Sequence, residues 1–300
     1  MKRPTTPGDR RWFWILVSPT LIGFLALVLG PMLASLWLSF TKFNVVEPPV
    51  FIGLKNYFYL FQHDPTFWPS LRVTLVYAML FVPSQIVIAL GVALALNQNV
   101  PGKSFFRTVY FLPTILPAAA SGIIWLWIFS PRGGLLNTLL ERVGIEGPAW
   151  IYSSTWALPT LVVITLWPFG TAMLVFLAAL QSIPRDLYEA ASIDGAGAFH
   201  RFRAVTIPGL APAIFFNVIM GLIGALKVFD QAFIVGMGGP GIGGPGRSTL
   251  FMVLNIYQQG FAYFHMGLAS AMAWILFLII MVLTLLSFLV HRAYGTEEVT

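Results

Sequence analysis

The sequence predicts an all-α, polytopic membrane protein with six transmembrane helices, and three observations predict it. The composition is too apolar for a soluble domain: 58% of the 300 residues are hydrophobic and 9% charged, and the mean hydropathy is +0.82. A soluble core cannot bury that much apolar surface. Six apolar runs, 12–40, 73–96, 109–128, 156–180, 210–235 and 266–290, each reach the roughly 20 residues that one crossing requires. Lysine and arginine are shared unevenly between alternate loops, which sets orientation. An even number of spans puts both ends of the chain on one side, together with Lys2, Arg3, Arg10, Arg11, Lys103, Arg107, Arg185, Arg201, Arg203 and Arg292 on short segments. The longer opposite loops hold Lys42, Lys55, Arg72, Arg132, Arg142 and Arg247. Both termini, residues 1–11 and 291–300, are therefore expected in the cytoplasm, flanking a membrane domain at 12–290. The net charge of +6 is mostly this asymmetry and calls for no nucleic acid.

The first span follows a basic stretch but is too long for a signal sequence and has no small-residue cleavage site after it, so it reads as an uncleaved anchor. Prolines fall in or beside most spans: Pro19, Pro31, Pro83, Pro113, Pro117, Pro159, Pro168, Pro208 and Pro212. Each removes a backbone donor and can kink its helix where neighbours satisfy the freed carbonyl. Small residues such as Ala89, Gly91, Ala93, Ala118, Gly221 and Gly224 allow close helix approach. Trp12, Trp14, Trp37, Trp68, Trp150 and Trp156 fall near span ends, as an aromatic belt against membrane lipid would. Cysteine is absent, which excludes disulfides and thiol catalysis. His63, His200, His265 and His291 have no ligand spacing, so no metal or cofactor is expected.

The loop between the fourth and fifth spans is polar and helix-prone. Pro184 suits a helix start, with Asp186 and Glu189 in the early turns where the helix dipole favours anions. Gly195 suits the left-handed residue that ends the helix. A second short helix is expected over 196–205, before Pro208 opens the fifth span. Leu187, Ala190, Ala191 and Asp194 lie near one face, and a face with alanine at its centre can enter a groove on a partner.

Glu189-Ala190-Ala191, then Gly195, then Val205-Thr206-Ile207-Pro208 resembles the EAA loop of permease subunits of binding-protein-dependent ATP-binding-cassette importers. In that pattern Glu-Ala-Ala is followed after three residues by Gly, and after nine more by Ile-x-Leu-Pro. This chain departs only by valine for isoleucine and isoleucine for leucine. Segments 51–57 (Phe-Ile-Gly-Leu-Lys-Asn-Tyr), 95–98, 105–113, 229–231 and 266–271 narrow the resemblance to carbohydrate-type permeases of the maltose and glycerol-3-phosphate class. The resemblance implies a six-span permease fold with a cytoplasmic coupling helix. It also implies a second, homologous permease subunit, a pair of cytoplasmic ATPase subunits, an extracytoplasmic solute-binding protein and a carbohydrate substrate. Carried over residue by residue, the ATPase-coupling positions are Pro184, Tyr188, Glu189, Ala190, Ala191, Asp194, Gly195 and Pro208. No catalytic residue is implied, since hydrolysis belongs to the partners.

In the fifth span Asn217, Gly221, Gly224 and Gln231 lie close to one face, where two amides separated by small residues could meet a hydroxylated solute. Asn217 could equally hydrogen-bond across to another helix. Lys227 and Asp230, three apart, are expected to pair on one helix face near the outer surface. Residues 236–249 imitate glycine-rich nucleotide loops, but no strand precedes them and spans flank them. A mobile outer loop that meets the binding protein or closes over the pathway, or else a flexible connector, is expected instead. Two other classes remain, an intramembrane enzyme and an ATP-independent channel or scaffold, and within the importer class a non-carbohydrate solute such as glycerol-3-phosphate stays open. The first needs a nucleophile and base or paired carboxylates at membrane depth, and Asp230 is the only acid within a span.

Overall fold

A computed structural model describes residues 7–98 and 101–295, so parts of the expected flanking segments, with Lys2 and Arg3, lie outside the described residues. Helix α1 (Pro7–Phe24), a π turn (Leu25–Leu29) and α2 (Gly30–Ser39) make the first span. A short hairpin, β1 (Thr41–Lys42) and β2 (Val50–Phe51), pairs antiparallel with Thr41 opposite Phe51, and α3 (Lys55–Gln62) follows. Next come α4 (Phe67–Asn97), α5 (Lys103–Phe111) with a 3-10 turn (Leu112–Ile115), α6 (Ala118–Ile128) and α7 (Leu135–Arg142). Helices α8 (Ala157–Leu166), α9 (Gly170–Ser182), α10 (Arg185–Ile193) and α11 (Ala198–Arg201) continue through a π turn (Phe202–Thr206) into α12 (Ile207–Gly209). The chain closes with α13 (Ala211–Leu226), α14 (Asp230–Met237), α15 (Met252–Tyr257) and α16 (Met266–Gly295).

Among the described residues four stretches are long and apolar enough to cross alone: Arg11–Ser39, Phe67–Asn97, Ala211–Met237 and Met266–Val290. Two bent pairs bring the number to six when each pair is counted as one broken span. The third span, expected over 109–128 with Pro113 and Pro117 able to kink it, is bent sharply. Lys103–Ile115 and Ala118–Ile128 meet at 98°, because Pro117 forces Leu116 into an extended conformation (ψ 134°) and ends the helix there. The fourth span bends by 51° between Ala157–Leu166 and Gly170–Ser182, where Pro168 cannot donate to the turn before it. Pro83, by contrast, sits inside α4 without ending it. In the first span Pro31 withholds a donor, and the ladder widens to the π turn in which the Gly30 amide bonds the Leu25 carbonyl.

The chain divides into two compact units, Met1–Asp64 with Ile256–Ile275, and Pro65–Asn255 with Leu276–Thr300. In the first, Asn56 Nδ2 donates to the carbonyls of Ser39 (2.8 Å) and Thr41 (2.9 Å). The Gly267 amide donates to the Phe43 carbonyl at 3.2 Å, and a side chain at 267 would run into the Thr41 carbonyl. These contacts give the family-like segments 51–57 and 266–271 a local physical purpose.

The second unit has two apolar clusters. One gathers Tyr77, Phe81, Leu161, Leu226 and Phe251; the other gathers Ala89 and Ala93 of α4, Met173, Phe176 and Leu180 of α9, and Leu210. The alanines let α9 approach α4 closely. Asn255, nearly fully buried, donates to Thr66 Oγ1 (3.0 Å) and Ser70 Oγ (3.2 Å), and the Met252 amide donates to Thr74 Oγ1 (2.8 Å). This polar ladder fixes α15 to the start of α4. At Gly170 an added Cβ would lie 2.8 Å from both Phe111 Cα and the Tyr110 carbonyl oxygen, main-chain atoms that cannot rotate away. Gly170→Val is expected to destabilise the subunit by roughly 1–3 kcal/mol, read as a lower unfolding midpoint in detergent, with Gly170→Ala shifting it less in the same direction.

Candidate functional site: a surface helix and a cavity between broken helices

Helix α10 begins after Pro184, in extended conformation, carries Asp186 in its first turn and buries none of its residues. Its end follows from Gly195, whose φ of +78° costs an L-residue but not glycine. The Gly195 amide bonds the Ser192 carbonyl (3.1 Å) and the Ala196 amide reaches back to Ala191 (2.9 Å), the two bonds that satisfy a helix end with a left-handed residue. The second helix starts at Ala198, two residues later than expected, and does not stop at 205. It runs through the Phe202–Thr206 π turn into α12, because Pro208 has no amide for the Ala204 carbonyl.

The loop is rooted by its own side chains. Tyr188 Oη lies 3.0 Å from Thr206 Oγ1, Arg201 Nη1 donates to Ser192 Oγ at 2.9 Å, and Ser192 Oγ donates to the Tyr188 carbonyl at 2.7 Å. Tyr188, Ile183 and Val205 pack into the cluster shared by α4, α9 and α13. The outward side remains open: Glu189, Ala190, Asp194 and Gly195 are exposed and Ala191 half-buried. Ile193 is 87% and Phe199 77% exposed, too much apolar surface for a loop that faces water alone. Ala191, Asp194, Gly195, Gly197 and His200 line a concavity of about 530 Å³.

A second cavity, about 400 Å³, opens where α13 gives way to α14. The four fifth-span residues singled out by spacing, Asn217, Gly221, Gly224 and Gln231, all line it. The helix between them is not continuous. Lys227 leaves helical geometry, Phe229 is at φ −140° and α14 restarts at Asp230. The expected Lys227–Asp230 pair on one helix face is therefore corrected: the residues stand at the two ends of a break, both lining the cavity. Asn217 is not a cross-helix link either; its Nδ2 donates to the Ala213 carbonyl of its own helix at 2.9 Å.

The opposite wall comes from Tyr77, Phe81 and Gln85 of α4 and from Thr165 and Thr171 on either side of the Pro168 bend. Sequence spacing missed Gln85, although it is the only amide in the 73–96 run. An added Cβ at Gly221 would lie 2.9 Å from Gln85 Oε1, whereas nothing lies within 4 Å of one at Gly224. Tyr77 Oη donates to Thr165 Oγ1 at 2.8 Å. Chemically the cavity offers amides for hydroxyls, aromatic faces from Phe81, Phe216 and Phe229, and one charge of each sign.

Other expectations resolve as follows. Trp150 Nε1 donates to Asn137 Oδ1 at 2.6 Å, and its ring meets Phe129 and Trp156. The 236–249 segment is a packed turn. The Gly241 amide bonds the Gly236 carbonyl (2.9 Å), the Thr249 amide bonds Gly243 (2.9 Å) and Arg247 Nη1 bonds the Pro65 carbonyl (3.0 Å). A side chain at Gly238 would collide with Leu126, and one at Gly239 with the Val235 carbonyl.

Residues 85–296 match the model of a family described as binding-protein-dependent transport system inner membrane component. The chain is 42% identical to the probable ABC transporter permease protein YesP of Bacillus subtilis (strain 168), over 91% of this chain and 87% of that protein. It is 34% identical to the probable starch degradation products transport system permease protein AmyD of Thermoanaerobacterium thermosulfurigenes, over 92% of each. Its fold resembles a chain in the crystal structure of a bacterial ABC transporter involved in the import of the acidic polysaccharide alginate. The TM-score there is 0.82 at 23% identity, over 95% of this chain and 96% of that one.

Proposed function

We propose that this chain, which belongs to the family of binding-protein-dependent transport system inner membrane components, is the membrane-spanning permease subunit of an ATP-driven importer for a carbohydrate. It is not itself an enzyme. A pair of cytoplasmic ATPase subunits supplies the energy, an extracytoplasmic solute-binding protein delivers the solute, and a second, homologous permease subunit completes the pathway. Both termini and residues 184–205 face the cytoplasm, with the permease domain at 12–290.

One observation carries the reading. The exposed helix at Pro184 to Gly195 is rooted, through Ile183, Tyr188 and Val205, in the apolar cluster of α4, α9 and α13, the helices that wall the cavity. Movement imposed on the loop by a closing ATPase dimer is thereby passed to the cavity walls, since packed side chains shift together. The Pro168 bend and the Lys227–Phe229 break are where those walls yield. Gln85, Asn217 and Gln231 suit sugar hydroxyls, and the neighbouring rings suit the C–H faces of a pyranose. Lys227 and Asp230 cancel, so the lining has no net formal charge, in keeping with a neutral hydroxylated solute. The name of AmyD, which mentions starch degradation products, supports the same class.

The test is uptake into proteoliposomes that hold both permease subunits, with and without the ATPase pair. Accumulation of sugar that requires both ATP and the binding protein is expected. Passive flux without the ATPase would make the chain a channel, and a chemically altered solute would make it an enzyme.

A further inference from the structure

We propose that the segment after the first span is a lipid anchor: α3 lies in the headgroup layer with Leu54, Phe58 and Phe61 turned toward the acyl chains. One side of this helix is already used within its own unit. Leu60 is fully buried, Asn56 holds the Ser39 and Thr41 carbonyls, and Tyr57 Oη lies 2.8 Å from Ser39 Oγ. Residues 54, 58 and 61, at i, i+4 and i+7, form a separate apolar stripe. Their side chains are 54%, 59% and 44% exposed. Lys55, Tyr59 and Gln62, exposed on the line beside it, supply a polar rim. An amphipathic helix of this kind lies in the plane of the membrane interface.

Its position selects lipid as the occupant. Asn56 ties α3 to the last turn of the first span, at Ser39. The Gly267–Phe43 hydrogen bond ties the adjoining hairpin to the first turn of the last span. The helix is therefore pinned at the level of two span ends, which is headgroup depth, and Trp37, half exposed just before Ser39, suits that depth. At the entry to the last span the pattern recurs: Phe261, Tyr263 and Phe264 are all exposed. Exposed Lys42 and Lys55 suit anionic headgroups at the same level. The anchor would hold the outer ends of the first and last spans at a fixed depth while other helices move.

The chain has no cysteine, so this subunit takes a single-site label without background substitution and is labelled before it is assembled with its partners. In the complete transporter, reconstituted in phosphatidylcholine–phosphatidylglycerol vesicles, nitroxide labels at Phe58→Cys and Lys55→Cys are compared for collision with oxygen, which partitions into lipid, and with a water-soluble nickel chelate. The Phe58→Cys label is expected to favour oxygen several-fold over nickel, as a label inside a span does, and the Lys55→Cys label to show the reverse. Equal access of nickel to both labels would place the stripe in water and overturn the proposal. Shielding of the Phe58→Cys label from both reagents would mean that a protein partner covers it, which also overturns it.

Discussion

Gly195→Val is expected to cut ATP-coupled uptake by roughly five- to thirty-fold while the subunit still inserts and purifies in normal yield. At φ +78° an L-residue is strained by about 1–2 kcal/mol, and β-branched valine is among the least tolerant. That strain shifts the turn between its native and relaxed forms by roughly five- to thirty-fold. It falls on two hydrogen bonds, Gly195 to Ser192 and Ala196 to Ala191, which set the direction in which α11 leaves α10. The strain does not spread into the core, because nothing lies within 4 Å of a Cβ at 195. The loss should therefore appear as reduced co-purification of the ATPase pair, with the thermal midpoint of the permease nearly unchanged. Gly195→Asn is the control, since asparagine accepts the left-handed region. It should retain most of the uptake. Full uptake and a stoichiometric ATPase pair with valine at 195 would remove the loop from the coupling path.

How much of this was legible in the sequence depended on the range of the interactions involved. The α10 helix and its end were legible because their causes are local: Pro184 at the start, Asp186 in the first turn, Gly195 at the stop. The spans were legible because hydropathy over a window of about 20 residues needs no partner. The bends were not. Pro83 leaves α4 unbroken over its 31 residues, whereas Pro117 turns the chain by 98°; the same residue type gives both results, and the packing around it decides. The break at Lys227–Phe229 contains no proline at all, so periodicity ran straight through it and set Lys227 and Asp230 on one face. Gln85 carried no local sign of a role. Only its approach to Gly221 across two helices brings it to the cavity.

Gly224→Phe is expected to stop sugar uptake, to the level seen without the ATPase pair, while the binding protein still stimulates ATP hydrolysis. The two glycines of α13 differ in what surrounds them, and the difference makes the test specific. A Cβ at Gly221 meets Gln85 Oε1 at 2.9 Å, so even alanine there moves a cavity amide and mixes two effects. Gly224 is exposed on the cavity wall with nothing within 4 Å of its Cβ position. Alanine at 224 is therefore expected to fold normally, to gain helix propensity of up to about 1 kcal/mol and to transport almost as the parent does. A phenylalanine projects its ring into the same empty space of about 400 Å³, where it competes with solute without touching the Tyr188–Thr206 root of the coupling loop. Solute passage and coupling then separate: uptake is lost, ATPase co-purification and stimulated hydrolysis stay. Unimpaired uptake by the Gly224→Phe variant would place the sugar path elsewhere, and loss of stimulated hydrolysis along with uptake would mean that the cavity walls serve coupling rather than passage.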